Sequence, residues 1–558
     1  MTPPGPRGGA DPGRHPEILL IGRVIPCPGD APAAAGAILF RGGRVAAVGD
    51  PAAVRGQAGR AAEVIVLPRG AVVLPGFVDG HCHLLWCAEQ AAQLDLREVR
   101  SPQELARRVA ERAGRLPPGA WIEGYGWDQS RFDPPAWPDR RLLDGAAPQN
   151  PVLLRRVCRH VAVANSAALQ AAGVGRETPD PDGGCFDRDP ATGEPTGLLR
   201  ERAIDVVAAA RPDPSLEEQV AALAEAIGRA HAAGVTAVHT HDAYRPGDLP
   251  RAIALYWAAR QRGRPIRAVV DVSVEALADA RAFGPTGRGD DWLRMGSIKF
   301  FADGSLGGRT AALSEPYADG APGERGMLRY PPGELARRVR EAHEAGFQVA
   351  IHAIGDRAVD EALAAIAQVR GAAGSDGGPP PGPRRRRHRL VHAQVLRPEH
   401  PRRMAELGVV AEIQPRFLAS DLAFVEARLG PARCRLAYAW RALVDAGVPV
   451  SAGSDAPIEP IAPLEGIQAA VTRDDLHGHP PGGWHPEQRL TVGQAVAAYT
   501  AGSAFAACAE GWLGTLQPGA AADAVVLAAD PWQVPPAELA AIPVLYTFVA
   551  GVPVHSAA

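Results

Sequence analysis

Apolar residues recur along this chain with two periods, and the switch between them divides it into regions. From about Ile18 to Val73, short β-type runs (ILLIGRVI, GAILFRGGRVAAVG, EVIVL, AVVLPG) are separated by Gly and Pro. The same style returns over residues 515–555 in ADAVVLAAD and VLYTFVAGVPV, so the two ends are expected to share one small sheet domain. Between them strands alternate with helices. In LEEQVAALAEAIGRAHAAG, Leu216, Val220, Leu223 and Ile227 share a helical face, and Gly234 ends the helix before the strand GVTAVHTHD. GELARRVREAHEAG repeats the pattern, stops at Gly346 and leads into FQVAIHAIGD. DRAVDEALAAIAQVR then places Val359, Leu363 and Ile366 on one face, with Asp356 as N-cap. Further strands are expected at RLVHAQ, GVVAEIQP and PVSAGSD. Repeated strand–helix units imply a parallel sheet, and about eight of them imply a closed (β/α)8 (TIM) barrel.

Three segments stand outside this alternation. Residues 1–15 read as a disordered tail, about 90–210 as an insertion after the first barrel strand, and 371–389 (GAAGSDGGPPPGPRRRRHR) as a solvated, flexible Pro/Arg loop.

Composition narrows the class of function. The 558 residues, 46% hydrophobic and 22% charged, suit a soluble globular chain with one large and one smaller domain. A net charge of −3 offers no broad attraction to nucleic acid or an anionic membrane. No apolar run approaches a membrane span, and the N-terminus lacks a signal-peptide core. Seven scattered cysteines without a CxxC pair suit a reducing cytoplasm.

One residue changes the picture. Of the 59 lysines and arginines only Lys299 is lysine, in SIKFFADGSLGG. Lysine, unlike arginine, can lose its proton and become nucleophilic. Alternation puts Lys299 between Ser297 and Phe301 on one strand face and Ile298 and Phe300 on the other, a pattern of burial on both sides. Catalytic residues in such barrels stand at the C-terminal ends of strands. There the sequence offers His81 and His83 (GFVDGHCH), Lys299, His352, His392 and Asp455. Neutral imidazoles with a carboxylate suit zinc or another late first-row ion better than calcium or magnesium. Two dications need a bridging negative charge, which a carbamate on Lys299 supplies and arginine cannot. Such a pair shares a hydroxide that is a nucleophile at neutral pH.

PGFVDGHCH, IKFFADGSLGGRTAAL, HAIGDRA, the strand-end His392, GSDAP and GTLQPGAAADAVVLAADP together resemble the amidohydrolase superfamily, in its family-3 branch of YtcJ-like and N-substituted formamide deformylase-like hydrolases. The resemblance runs from about Ile18 over nearly the whole chain, including WIEGYGWD and NSAAL. It implies a metal-dependent barrel over residues 74–510, a composite β-sandwich from 16–73 plus 511–558, and hydrolysis of carbon–nitrogen bonds other than peptide bonds. It also implies His81 and His83 on a buried metal, His352 and His392 on a second, a carboxylated Lys299 as bridge, and Asp455 orienting the hydroxide and shuttling its proton. One or two Zn2+ ions are expected, with a small-molecule substrate and, as one option, a homodimer. RVCRH (156–160) departs from the Asp-Gly-His common in relatives, although His160 matches its histidine.

Substrate-binding candidates are His160, Arg309, Trp86, Trp127 and His239; His241, Asp242 and Trp121 stand beside them, and Cys82 is expected to pack away from its flanking histidines. An ester, lactone or phosphoester hydrolase on the same site is the rival activity. A non-catalytic scaffold is a poorer match, since all six ligands are retained. A Schiff-base enzyme explains Lys299 but not the histidines.

Overall fold

The computed structural model describes residues 17–30, 32–91, 93–157, 160–371 and 387–557. The expected N-terminal tail and most of the Pro/Arg loop lie outside these residues. Eight parallel strands form one sheet in which chain neighbours are spatial neighbours: Phe77–Cys82, Val235–Ala243, Arg267–Ser273, Leu293–Phe301, Val349–Ala353, Arg389–His392, Val410–Ile413 and Val450–Ala452. Nearly every residue in them is buried, as expected for strands covered on both faces. The last strand returns to the first just beyond its own end. Cys82 bridges Ala456, His83 N–H donates to the Ala456 carbonyl at 2.8 Å, and Asp455 N–H donates to the His81 carbonyl at 2.6 Å. The sheet is thus a nearly closed barrel whose seam runs through candidate site residues. Gly453 makes that seam possible, because a Cβ there would lie 2.3 Å from the His81 backbone nitrogen.

Gly234 and Gly346 end their helices as expected, at φ +83° and +98°, conformations only glycine adopts without strain. Asp356 behaves otherwise. It is the first residue of helix Asp356–Gly371, and its carboxylate accepts from Ser314 N–H at 2.9 Å, tying down a loop from the preceding unit of the barrel. The Pro/Arg loop is also shorter than expected at its C-terminal end, because Arg389 already belongs to a barrel strand.

The terminal segments pair in a second, mixed eight-stranded sheet. Val72–Pro75 from the N-terminal part runs antiparallel to Ala524–Leu527 from the C-terminal part. Ile18, Leu20, Phe40 and Val73 share one apolar cluster with Leu516, Val526 and Phe548, so the apolar alternation read at both ends converges on a common core.

Residues Ala88–Ala222 form a compact unit of their own. It holds a six-stranded sheet with helices and two apolar clusters, one around Leu105, Trp127 and Leu154 and one around Leu153, Phe186 and Leu199.

Candidate metal centre

The six strand-end residues lie in one contiguous group. Lys299 Nζ is 3.0 Å from His81 Nε2. Asp455 Oδ1 is 3.4 Å from His81 Nε2 and 2.9 Å from His83 Nε2. The His392 ring is 6.0 Å from that of His81 and 4.5 Å from that of His352, centroid to centroid. Two of the six, His392 and Asp455, hold left-handed backbone (φ +74° and +56°), a conformation costing a non-glycine residue about 1–2 kcal/mol. Strain of this kind persists where surrounding structure imposes it.

For three of the four histidines the tautomer follows from a fixed acceptor. His83 Nδ1–H donates to the His241 carbonyl at 3.1 Å, and the Tyr244 hydroxyl oxygen lies 2.6 Å from the same nitrogen. His392 Nδ1–H donates to Gln414 Oε1 at 2.7 Å. His352 Nε2–H donates to the Gly304 carbonyl at 3.0 Å. The inward lone pairs are therefore His83 Nε2, His392 Nε2 and His352 Nδ1. His81 turns Nδ1 toward Glu412 Oε1 at 3.1 Å, without the alignment of a hydrogen bond, and Nε2 toward Lys299.

Burial governs the electrostatics. It holds His81, His241 and His392 well below the usual imidazole range; the Lys299 charge adds to this at His81, and neighbouring histidines at His241 and His392. Burial likewise lowers Lys299 to about 8, against the pull of Glu412, Asp455 and Asp271. Burial opposes ionisation of Asp455, yet the close contact with His83 and the surrounding imidazoles of His81, His83 and His392 hold its carboxyl well below the ordinary range. Asp79, one turn of the strand before His81, is pushed up to about 6 by burial although Ser454 donates to it.

The donor set fits a divalent cation. Ligand atoms of His81, His83 and Asp455 all lie within 4.8 Å of one another, and all three residues are buried. With His83 Nδ1 carrying its proton, a lone pair on Nε2 faces a carboxylate oxygen at 2.9 Å. Two electron-rich atoms at that separation need a shared cation, either a proton or a metal ion. Neutral imidazoles and an ionised carboxylate are the forms a metal requires.

Beneath this group sits a set of charges the sequence reading did not single out. Arg389 donates to Glu412 Oε2 (2.7 Å), Asp271 Oδ1 (2.6 Å) and Ser297 Oγ (2.7 Å), all four residues buried. Glu412 links this floor to His81. The signal was present as solitary charges inside apolar strands, Asp271 in RAVVDVS and Glu412 in VVAEIQP. Asp303, after Phe301, accepts from the N–H groups of Ala312, Ile354 and Gly355 and fixes the loops beside His352.

The other candidates divide. Trp86 lies at the site, its ring 5.8 Å from that of His83. His239 is wholly buried, its Nδ1 3.4 Å from Arg389 Nη1, so it belongs to the barrel floor. Arg309 is committed to Asp319 at 3.1 Å. Asp242 braces Leu85 N–H, Thr240 and Tyr256. In the unit of residues 88–222, Trp127 is core, donating its indole N–H to the Leu154 carbonyl at 2.9 Å. Trp121 packs there too, while His160 is exposed and pairs with Glu201 at 3.0 Å. Substrate-binding roles for His239 and Trp127 do not fit these enclosed placements.

A family described as the amidohydrolase family matches residues 69–555. The chain is 40% identical over 488 residues to a putative amidohydrolase, YtcJ, of Bacillus subtilis, covering 86% of this chain and 88% of that protein. It is 30% identical over 530 residues to an N-substituted formamide deformylase of Arthrobacter pascens, covering 92% and 94%. A crystal structure of a metal-dependent hydrolase from Pyrococcus horikoshii superposes with a TM-score of 0.75 at 28% identity, covering 93% of this chain and 99% of that one.

Proposed function

The chain belongs to the amidohydrolase family, and from that premise we propose that it is a metal-dependent hydrolase of a non-peptide carbon–nitrogen bond, such as an amide or N-substituted formamide, in a small molecule. The observation that carries this reading is the convergence of His81, His83 and Asp455 at one barrel end with His352, His392 and Lys299 beside them. The formamide deformylase relative supports the bond type. In this reading His81 and His83 hold one ion, His352 and His392 a second, and Zn2+ suits the donors. A divalent cation held by these residues would supply Lewis acidity toward a carbonyl and an acidified water at neutral pH.

The chain's own residues do the rest. Lys299, with its pKa lowered to about 8, has a neutral amine fraction near neutrality. That amine adds carbon dioxide and releases one proton, giving a carbamate that would add a negative charge to the donor set. Asp455 accepts a proton from the attacking water and delivers it to the departing nitrogen, so one water yields an acid and an amine. Trp86 and Tyr244 wall the side next to His83.

The sheet built from both termini is read as the β-sandwich that accompanies such barrels. Six described cysteines are free, which supports a reducing compartment.

The test is metal analysis of purified protein together with a panel of N-formyl, N-acyl, cyclic amide and ester substrates. One to two equivalents of metal are expected, with chelation abolishing amide hydrolysis and metal restoring it. Metal-free protein with full activity contradicts the reading, and hydrolysis confined to esters moves it to the rival activity.

A further inference from the structure

His392 and Asp455, the two site residues with left-handed backbone, leave different barrel strands, the sixth and the eighth. The seventh, Val410–Ile413, supplies none of the six strand-end residues. It runs instead into Gln414 and the short helix Pro415–Asp421, and that segment reaches the surroundings of both strained residues.

Positions four apart on a helix share a face. Phe417 and Asp421 face the exit of the His392 strand. The Phe417 ring stacks on His392, 5.8 Å between centroids and 18° between planes. Asp421 accepts from the Gln394 amide at 2.8 Å and from the Tyr438 hydroxyl. Gln414, just before the helix, accepts the His392 Nδ1–H at 2.7 Å and is itself oriented by donating to the Glu412 carbonyl at 3.2 Å. Arg416 and Ser420 both donate to Glu459 instead, and Arg416 Nε also donates to Glu465 at 2.5 Å. Glu459 follows Asp455 by four residues, across a turn closed by Ile458 N–H on the Asp455 carbonyl at 2.9 Å. With side chains 23% and 11% exposed, the Arg416–Glu459 pair is screened less than a surface pair. A guanidinium fork can hold two carboxylates in fixed directions, which a single ammonium cannot.

Resting on the metal-dependent reading above, we propose that Arg416 is a positioning residue for the metal centre. With Glu459 it fixes the loop that carries Asp455, and through helix Pro415–Asp421 it locks that loop to His392. The two strained residues thereby keep one separation, set by the turn after the strand that contributes no ligand.

The test is zinc titration of the full chain after metal removal, by competition with a chromogenic chelator. Arg416→Met and Glu459→Ala are each expected to bind zinc about 10–100-fold more weakly than the parent. The double variant should fall little further, because both changes cut the same link. Glu459→Gln, which still accepts from Arg416 and Ser420, should recover most of the affinity. Arg441→Met, in an exposed pair with Asp445, should bind as the parent does. In the zinc-loaded Arg416→Met protein, kcat should fall with KM nearly kept, and more on an amide than on an aryl ester, because Asp455 is displaced. Parent-like affinity in both single variants, or losses that add in the double variant, overturn the proposal while leaving the metal-dependent reading standing. If Arg416→Met does not fold by circular dichroism, Arg416→Lys decides: weaker zinc binding upholds the proposal and parent-like binding overturns it. A parent protein that binds no zinc removes the metal reading, and the proposal with it.

Discussion

Lys299 and Arg389 are both buried cations inside the same barrel, and they have opposite surroundings. Lys299 meets an imidazole, His81 Nε2, at 3.0 Å, and burial lowers its pKa to about 8. Arg389 is flanked by Asp271 and Glu412, whose charges outweigh its burial and raise its pKa further. The mouth therefore keeps its cation reactive, with neutral imidazoles around it, whereas the floor locks its cation in place with two carboxylates. Asp271 and Glu412 pull on both cations but hydrogen-bond only Arg389, so burial prevails at Lys299 and ion pairing at Arg389.

Swapping the two cations breaks the comparison hardest. Lys299→Arg is expected to lower kcat/KM by more than about 10³-fold, the scale of several kcal/mol of metal-assisted stabilisation. It should also release metal while the fold, read by circular dichroism, persists. Retained activity would show that the amine is dispensable. Asp455→Asn should lose about 10²–10⁴ on an amide and less on an aryl ester, whose leaving group needs no proton. Equal losses on the two would count against proton transfer, and metal loss would make Asp455 a ligand first.

Floor substitutions should act on stability and metal affinity before chemistry. Arg389→Met strands Asp271 and Glu412 unpaired and is expected to destabilise by about 3–5 kcal/mol in denaturant titration. Glu412→Gln keeps volume but weakens the hold on His81. Metal affinity, measured by competition with a chromogenic chelator, should fall about 10–100-fold, with a smaller effect on kcat once loaded. Unchanged affinity would leave Glu412 as the partner of Arg389 alone.

The smallest effect concerns His231, on helix Leu216–Ala232. Burial lowers it to about 4; Nε2–H donates to the Pro265 carbonyl at 2.9 Å and Nδ1 is buried without a hydrogen bond. The unfolded chain takes a proton as pH falls through 6.5, while the folded chain resists until about 4. The stability this contributes is intact above 6.5 and lost as pH falls toward 4, on the order of 1–2 kcal/mol between pH 7 and 5. His231→Gln should flatten that part of the pH–stability curve. A neutral buried imidazole thus marks burial by itself, and only convergence marks a site.

That distinction also explains what was legible in the sequence. His81, His83, Lys299, His352, His392 and Asp455 stood out because each ends a strand, and the barrel topology places strand ends together. The terminal sheet was legible because its alternation recurs at both ends. Arg389 and Asp271 were not, since Arg389 reads as the end of the run PRRRRHR, Asp271 as a lone charge in RAVVDVS, and the two partners lie 118 residues apart. His239 read as a strand-end residue, yet it points into the layer below the site, two residues too early in the strand for the mouth. Asp356 matched an N-cap pattern, but a tertiary acceptor role at Ser314 took its carboxylate. The sheet within residues 88–222 escaped notice because its strands are short and interrupted by turns.

The central claim is that Lys299 alone among the buried cations is free to react with carbon dioxide. Because the chain has a single lysine, ¹³C NMR of metal-loaded protein in ¹³C-bicarbonate tests it directly. One carbamate resonance that disappears in Lys299→Arg, and survives a Glu412→Gln substitution, is the expected result. A fully active, metal-loaded enzyme that shows no Lys299-dependent carbamate resonance would contradict it.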